Sequence, residues 1–326
     1  MLRRRYIHAI FSKETEMYIK NTKYMKAFLT KYYRKLNILC YQTLSIISPT
    51  LSTKVRYKAV FKKKLDLDNP KTFKEKLLTL KLKRYIKDPL VIKCADKYAV
   101  REYIKEQGCE NILIPLLASY DNAKDIEWER LPESFVIKWN FGCGFNIICP
   151  NKSKLDITAT TKKLNNWKKD KSYLNYSEMQ YSKAPKKIIV EQYLKPANGE
   201  LPADYKVYCF NGEPKAILYM CDRGSNDMTA AFFDENWKFL SETGKSGYKK
   251  FEKDIKEPIC LKEMIEVSKK LSKPFEFVRM DYYVINDKLY FGEMTFTPAG
   301  CMFASECLVN GKTMGELLDT SKYERK

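Results

Sequence analysis

The sequence predicts an α+β protein, because strands and helices mix along it without the strict alternation of a doubly wound sheet. Two further features support this class: a pair of antiparallel hairpins, and a basic, helical front segment ahead of a nearly charge-balanced body. The length of 326 residues suits one large domain or two. A hydrophobic fraction of 44% with 13% aromatics excludes a disordered chain. Only 12 glycines and 13 prolines exclude collagen-like and low-complexity classes.

The elements follow in order. Residues 1–64 hold 16 Lys and Arg against 2 acids, so +14 of the net +20 lies there. Tyr24, Met25, Phe28, Leu29, Tyr32 and Tyr33 recur at spacings of one helical face, with Lys23, Lys26, Lys31, Arg34 and Lys35 between them. A basic amphipathic segment suits an anionic membrane surface, and a solvated helix packed on the body is the competing reading. Nucleic acid is disfavoured, since no RNP, KH or helix-turn-helix signature is present. Met1-Leu2-Arg3-Arg4-Arg5 lacks a following apolar region, so no secretory signal is expected. Leu36 to Leu51 is too short and polar to span a bilayer. The expected location is the cytoplasm, with peripheral attachment to the inner face of the plasma membrane.

Asn69-Pro70-Lys71-Thr72-Phe73 ends the basic segment and starts a helix over 74–82. Asp88-Pro89 breaks it, a second helix is expected over 95–107, and Gly108 stops that one. Residues 112–120 suggest a short strand and loop. Strands are expected at 135–138, 147–148 and 187–194, with a helix over 156–170. Residues 205–220 form a hairpin about the favoured turn pair Asn211-Gly212. A helix over 261–271 precedes a second hairpin over 275–297.

The chain has a single histidine, His8, which disfavours a Ser–His–Asp triad, a Cys–His pair and a histidine zinc site. The 10 cysteines are scattered without a CxxC pair and read as free thiols. Chemistry must therefore run on carboxylates, lysines, arginines or a bound metal.

Three stretches carry such groups. In the second hairpin, a loop of Asn286, Asp287 and Lys288 sets Ile285 opposite Leu289 and Asp281 opposite Glu293. Alternation then puts Arg279, Asp281, Glu293 and Thr295 on one face. Two facing carboxylates repel, and either Mg²⁺ carrying a nucleotide phosphate or Arg279 alone can compensate. A two-residue loop would shift the register and throw Glu293 to the other face. The second stretch is Lys138 at a strand end followed by Gly142-x-Gly144, where glycines let backbone approach an anion and the lysine supplies a point charge. An ordinary turn is the plainer reading of a lone GxG. The third is Glu191 at the end of an apolar strand, whose plain reading is a solvated carboxylate.

In this order the three stretches resemble the ATP-grasp ligases. More closely, the chain resembles the TupA-like ATP-grasp family associated with teichuronopeptide and other bacterial surface polysaccharides. The resemblance spans roughly 55–318. It includes Asn69-Pro70-Lys71-Thr72-Phe73-x-Glu75-Lys76, Asp96-Lys97-Tyr98-Ala99-Val100-Arg101 and Asp204-Tyr205-Lys206. Cys209-Phe210-Asn211-Gly212-Glu213-Pro214-Lys215 and Gly292-Glu293-x-Thr295-Phe296-Thr297-Pro298 complete it.

The resemblance implies two α+β lobes gripping ATP, with the basic segment 1–64 in front, a pre-ATP-grasp region over 65–130 and the ATP-grasp domain over 131–326. It implies that Lys138 contacts phosphates and that the loop carrying Gly142 and Gly144 closes over them. Glu191, Gln192, Tyr193 and Leu194 would form the adenine hinge. Asp281, Glu293 and Thr295 would hold Mg²⁺. Arg279 would steady the acyl phosphate or the tetrahedral intermediate, and Lys206 would add a phosphate contact. The implied activity joins a carboxylate and an amine through an acyl phosphate, the two substrates being a hexuronic acid of a capsule or cell-wall glycan and an amino acid, in either role. Two departures stand out. Thr295 occupies a metal position that is often Asn, and Phe141-Gly142-Cys143-Gly144 replaces the His-Gly-Ser-Gly usual in the family. The rival readings are a catalytically weak glycan-binding protein at the membrane face and another transferase of surface-polysaccharide synthesis.

Overall fold

The computed structural model describes residues 29, 30, 32, 34–195, 202–221, 228–242 and 255–324. The expected helical face lies mostly outside them: Tyr24, Met25, Phe28 and Tyr33, with Lys23, Lys26 and Lys31, are not described. Nor is the Pro/Asn/Gly loop over 196–200.

A helical stretch over 34–47 turns at Ser48 into α1 (Pro49–Phe61). Proline at the first helical position holds Ser48 extended, and the Ser48 hydroxyl accepts from the Leu51 N–H. Helix α2 (Phe73–Leu80) starts where the sequence places it, because Thr72 and Glu75 form a capping box. It continues as a wider π turn to Tyr85. The helix expected over 95–107 starts only at Val100, as α4 (Val100–Glu106), and a separate helix that was not expected, α3 (Pro89–Ala95), precedes it. The break is Asp96, whose side chain accepts from the N–H groups of Tyr98 and Ala99 and so competes with helix continuation.

Strands β1 (Leu116–Tyr120), β2 (Phe135–Trp139), β3 (Asn146–Cys149) and β4 (Ile188–Gln192) make a four-stranded antiparallel sheet ordered β1-β4-β2-β3. Helix α5 (Ile157–Lys168) packs on it through Leu164. Alternation in β2 sends Phe135, Ile137 and Trp139 into a small core with Ile188 and Val190. Lys138 is left on the opposite face.

The larger sheet has six strands, ordered β10-β9-β5-β6-β7-β8. These are β5 (Asp204–Phe210), β6 (Glu213–Cys221), β7 (Thr229–Phe233), β8 (Phe239–Glu242), β9 (Phe277–Ile285) and β10 (Lys288–Thr295). The β5–β6 turn has positive φ at both Asn211 and Gly212, as its sequence predicts. The amphipathic helix α6 (Leu261–Ser272) buries Met264 and Leu271 beside this sheet. A small pair of strands, β11 (Leu308–Val309) and β12 (Lys312–Thr313), is followed by α7 (Met314–Leu317). Residues from Tyr57 to Ile112 share one core with residues from Tyr205 to Leu318. Within it Phe73 lies 5.2 Å, ring to ring, from Phe277. The early helices are thus built onto the late sheet, and the small sheet carries its own core.

Among the described residues no two cysteines are joined in a disulfide, and no helix is long and apolar enough to cross a membrane.

Candidate functional site

The β9–β10 turn corrects the expected three-residue loop. Ile285 pairs with Lys288, so the loop is the two residues Asn286 and Asp287, at φ 52° and 62°. Such a turn suits the right-handed twist of the strands, and Asn and Asp tolerate positive φ. It ought to throw Glu293 to the other face. A bulge at Gly292 undoes the shift: Phe291 faces Tyr282, and Glu293 then faces Asp281. Glycine is needed there because a β-carbon would lie 2.9 Å from the Asp281 carbonyl oxygen. The expected pairing is therefore reached by two compensating one-residue steps.

Across the larger sheet, Lys206 of β5 faces Asp281, which faces Glu293. Tyr208, Arg279 and Thr295 form the next row. Asp281 is buried, and its carboxylate accepts from Lys206 Nζ at 2.6 Å. It also accepts from Arg279 Nε at 2.6 Å and Arg279 Nη2 at 2.7 Å. Arg279 also donates to the Thr295 hydroxyl, which donates to Glu293. Glu293 is paired instead with Lys97 at 3.0 Å. Burial alone would raise the Glu293 carboxyl, but Lys97, Lys206 and Arg279 outweigh it and hold it down to about 2. Burial likewise opposes charge on Lys97 and Arg279, yet their carboxylates push both above their ordinary values.

On the small sheet, Lys138 and Glu191 lie on the face away from its core and form a 2.7 Å ion pair. Arg101 of α4 approaches the other Glu191 oxygen at 3.4 Å. Glu191 is buried, so its solvated reading fails. The Gln192 N–H donates to the Pro115 carbonyl, while Tyr193 and Leu194 follow the strand end, partly buried.

The Phe141–Asn146 loop joins the two clusters. Gly142 and Gly144 have φ of 67° and 80°. A β-carbon on Gly142 would stand 2.6 Å from the Phe145 ring, so packing by itself requires this glycine. Phe141 is buried between Trp139 and Phe145, whereas Cys143 is exposed. Lys97 Nζ donates to the Gly142 carbonyl at 2.7 Å while it pairs with Glu293, so one ammonium ties the loop to the larger sheet. Lys97 itself is held because Asn140 accepts from its N–H and donates to Asp96.

A cavity of about 340 Å³ opens beside this junction. Phe141 to Cys143 line one side, Arg279, Glu293, Thr295 and Thr297 a second, and Tyr173, Tyr176, Glu178 and Tyr181 a third. Burial pushes the Glu178 carboxyl up, against a hydrogen bond from Thr297 and the field of Lys81. The sequence reading missed this third wall, whose short 3₁₀ turns have no periodic signal. It also assigned no role to Lys97 or Arg101, although both lie in the Asp96–Arg101 motif.

Among the described residues no group of three or more His, Cys, Asp or Glu is arranged to hold a metal ion. The donor set at Asp281, Glu293 and Thr295 nevertheless fits Mg²⁺. It is all oxygen, and Mg²⁺ usually takes one or two carboxylates and completes its shell with water and phosphate.

The sequence profile described as TupA-like ATPgrasp matches residues 75–316. No curated protein matches the chain. Among solved structures, D-alanine–D-alanine ligase from Bacillus anthracis complexed with ATP is similar at 16% identity and a TM-score of 0.42, over 65% of this chain and 58% of that one. An L-amino acid ligase from Bacillus licheniformis is similar at 14% identity and a TM-score of 0.43, over 69% and 49%. The chain thus spans about half the length of the solved structures it matches. The paired sheets, the glycine-bearing loop and the Asp281–Glu293 hairpin lie within the matched residues, and the chain belongs to the TupA-like ATP-grasp family.

Proposed function

We propose that this protein is an ATP-dependent carboxylate–amine ligase, with ATP and Mg²⁺ held between the two sheets. One observation carries the reading: Lys138, Lys97, Lys206 and Arg279 converge on Glu191, Glu293 and Asp281 around one loop beside a cavity. Each of these cations is stored against a carboxylate. Asp281, Glu293 and the Thr295 hydroxyl would hold Mg²⁺, which would supply charge neutralisation for the phosphates, and Lys206 and Arg279 would then be available to phosphate oxygens. The exchange keeps every buried charge paired, which a single-partner site cannot do.

Mg·ATP supplies the phosphoryl group that activates a carboxylate. The chain's own residues do the positioning. Lys138 and Lys206 orient phosphate oxygens, and Arg279 faces the negative charge that develops beside the cavity. Glu191, Gln192, Tyr193 and Leu194 supply the hinge for the base, with Gln192 acting through its carbonyl because its N–H is engaged. Lys97 holds the glycine-bearing loop closed and excludes water. A substrate carboxylate takes up the phosphoryl group; an amine then forms the C–N bond, phosphate leaves and the amine loses a proton. No histidine is required.

The substrates we assign are a uronic-acid carboxylate of a capsule or cell-wall glycan, free or lipid-linked, and an amino acid. The family's association with teichuronopeptide supports the class, and three cavity tyrosines beside the Glu178 carboxylate suit a sugar ring or an amine. One observation favours a second reading, nucleotide binding without ligation: Phe141 is packed into the small core and offers no polar group to the site. The deciding experiment measures ADP release and product mass with uronic-acid glycans and a panel of amino acids. A condensed product whose formation Lys138→Ala abolishes supports the ligase. Mg-dependent ATP binding without product from any pair supports the second reading.

A further inference from the structure

We propose that helix 34–47 and α1 form a docking corner for an anionic phospholipid surface, with Ile46 and Ile47 at its tip. The corner is the turn at Ser48-Pro49. Ile46 and Ile47 are 67% and 72% exposed, and Leu51 and Val55, one turn apart on α1, continue the apolar surface. Leu36, Ile38 and Leu39 are exposed on the preceding helix. Isolated exposed apolar residues need no explanation, but a run of them on two successive helices marks an interaction surface.

The charge around this surface selects its occupant. No acid occurs between Glu16 and Asp66. Exposed Arg34, Lys35, Lys54, Lys58, Lys62, Lys63 and Lys64 lie on the same helices or just beyond them. A second copy of the chain would bring the same positive sign. Residues 1–28 carry 7 Lys and Arg against 2 acids, the same sign again. Anionic headgroups complement the lysines while the acyl boundary accepts the isoleucines.

The corner also touches the site. Ser45 donates to the Leu174 carbonyl at 2.6 Å and Gln42 to the Asn175 side chain at 3.0 Å. The Arg56 guanidinium lies over both the Tyr41 ring, at 3.6 Å, and the Tyr176 ring, at 4.8 Å. Asn175 and Tyr176 line the cavity. Docking therefore brings the cavity wall to the lipid surface, where a lipid-linked glycan is presented. This last step rests on the proposed ligase reading; the docking itself does not.

The test is co-sedimentation of the full chain with vesicles of phosphatidylcholine alone or of phosphatidylcholine mixed with phosphatidylglycerol, whose negative surface attracts basic segments. Binding is expected only to the anionic vesicles and is expected to fall with salt. Lys54→Glu with Lys58→Glu should weaken it by about twenty-five-fold or more, from about fivefold for each lysine. Ile46→Asp with Ile47→Asp should weaken it at least about tenfold at unchanged salt, since apolar insertion is lost. All four side chains are exposed, and an unchanged melting temperature confirms folding. Ile47→Trp should show blue-shifted fluorescence on anionic vesicles only. The proposal is overturned by absence of binding, by binding that ignores the isoleucine pair, or by a dimer that the isoleucine variant dissolves. ATP binding measured without vesicles separates failure of docking from failure of the ligase reading.

Discussion

At Asp281 the structure shows which side chains offset the charge of the facing carboxylates. Two facing carboxylates on a bare hairpin repel, so neutralising one should be harmless. Here Asp281 is instead the buried counterion of Arg279 and Lys206. Asp281→Asn leaves those cations uncompensated and is expected to lower the stability of the nucleotide-free protein by about 3 kcal/mol. It should also abolish stabilisation by Mg·ATP. Thermal melting with and without Mg·ATP measures both; a variant as stable as the parent would refute the ion-pair account. Glu293 makes a pH prediction. Its folded carboxyl sits at about 2 against an ordinary 4.5, so its contribution is full above about 4.5 and is lost as pH falls through about 2. The stability gap between the parent and Glu293→Gln should therefore be widest near neutrality and shrink steadily from pH 4.5 to pH 2. A gap that widens with acid would contradict the assignment.

At the scale of the element, the β9–β10 hairpin depends on its bulge. Gly292→Ala places a methyl 2.9 Å from the Asp281 carbonyl oxygen. Backbone cannot yield as a flexible side chain does, so a cost of about 1–3 kcal/mol is expected. The more telling loss is registration, because any slip of one residue separates Glu293 from Asp281. Weakened Mg·ATP binding, larger than the stability loss accounts for, is the expected result by calorimetry. Binding that stays at the parent's affinity would show that the bulge is dispensable.

Across the whole molecule, Lys97 ties the glycine-bearing loop of the small sheet to the larger one. It is pinned at the start of the Asp96 turn, and its ammonium reaches both Gly142 of the loop and Glu293 of β10. Lys97→Met keeps the length and apolar stem of the side chain and removes the charge. Loss of the tie should open the loop, raise the apparent dissociation constant for ATP about tenfold or more, and increase proteolysis within 141–146. The magnitude follows from loss of a charge-assisted hydrogen bond of about 1.5–3 kcal/mol. Unchanged cleavage and affinity would assign Lys97 a purely local role.

Much of this was legible in residues and spacing. The α+β class, the helix start after Asn69-Pro70-Lys71-Thr72-Phe73, the Asn211-Gly212 turn, the strand carrying Lys138 and the strand ending at Glu191 rest on local preferences, which short segments express by themselves. Asp281 and Glu293 were legible as a pair, but by a route the structure replaces with a tighter turn and a bulge. Local rules cannot detect such compensation, because Gly292 is needed only by the close approach of another strand's backbone. Likewise the Asp96 turn delays to Val100 a helix that periodicity starts at Ala95. What only the tertiary structure decided is partnership. Lys97, Arg101 and the Tyr173–Tyr181 wall lie far along the chain from the groups they meet. Their placement follows from how early helices pack on the late sheet, and a charge some hundred or two hundred residues away leaves no mark on local sequence.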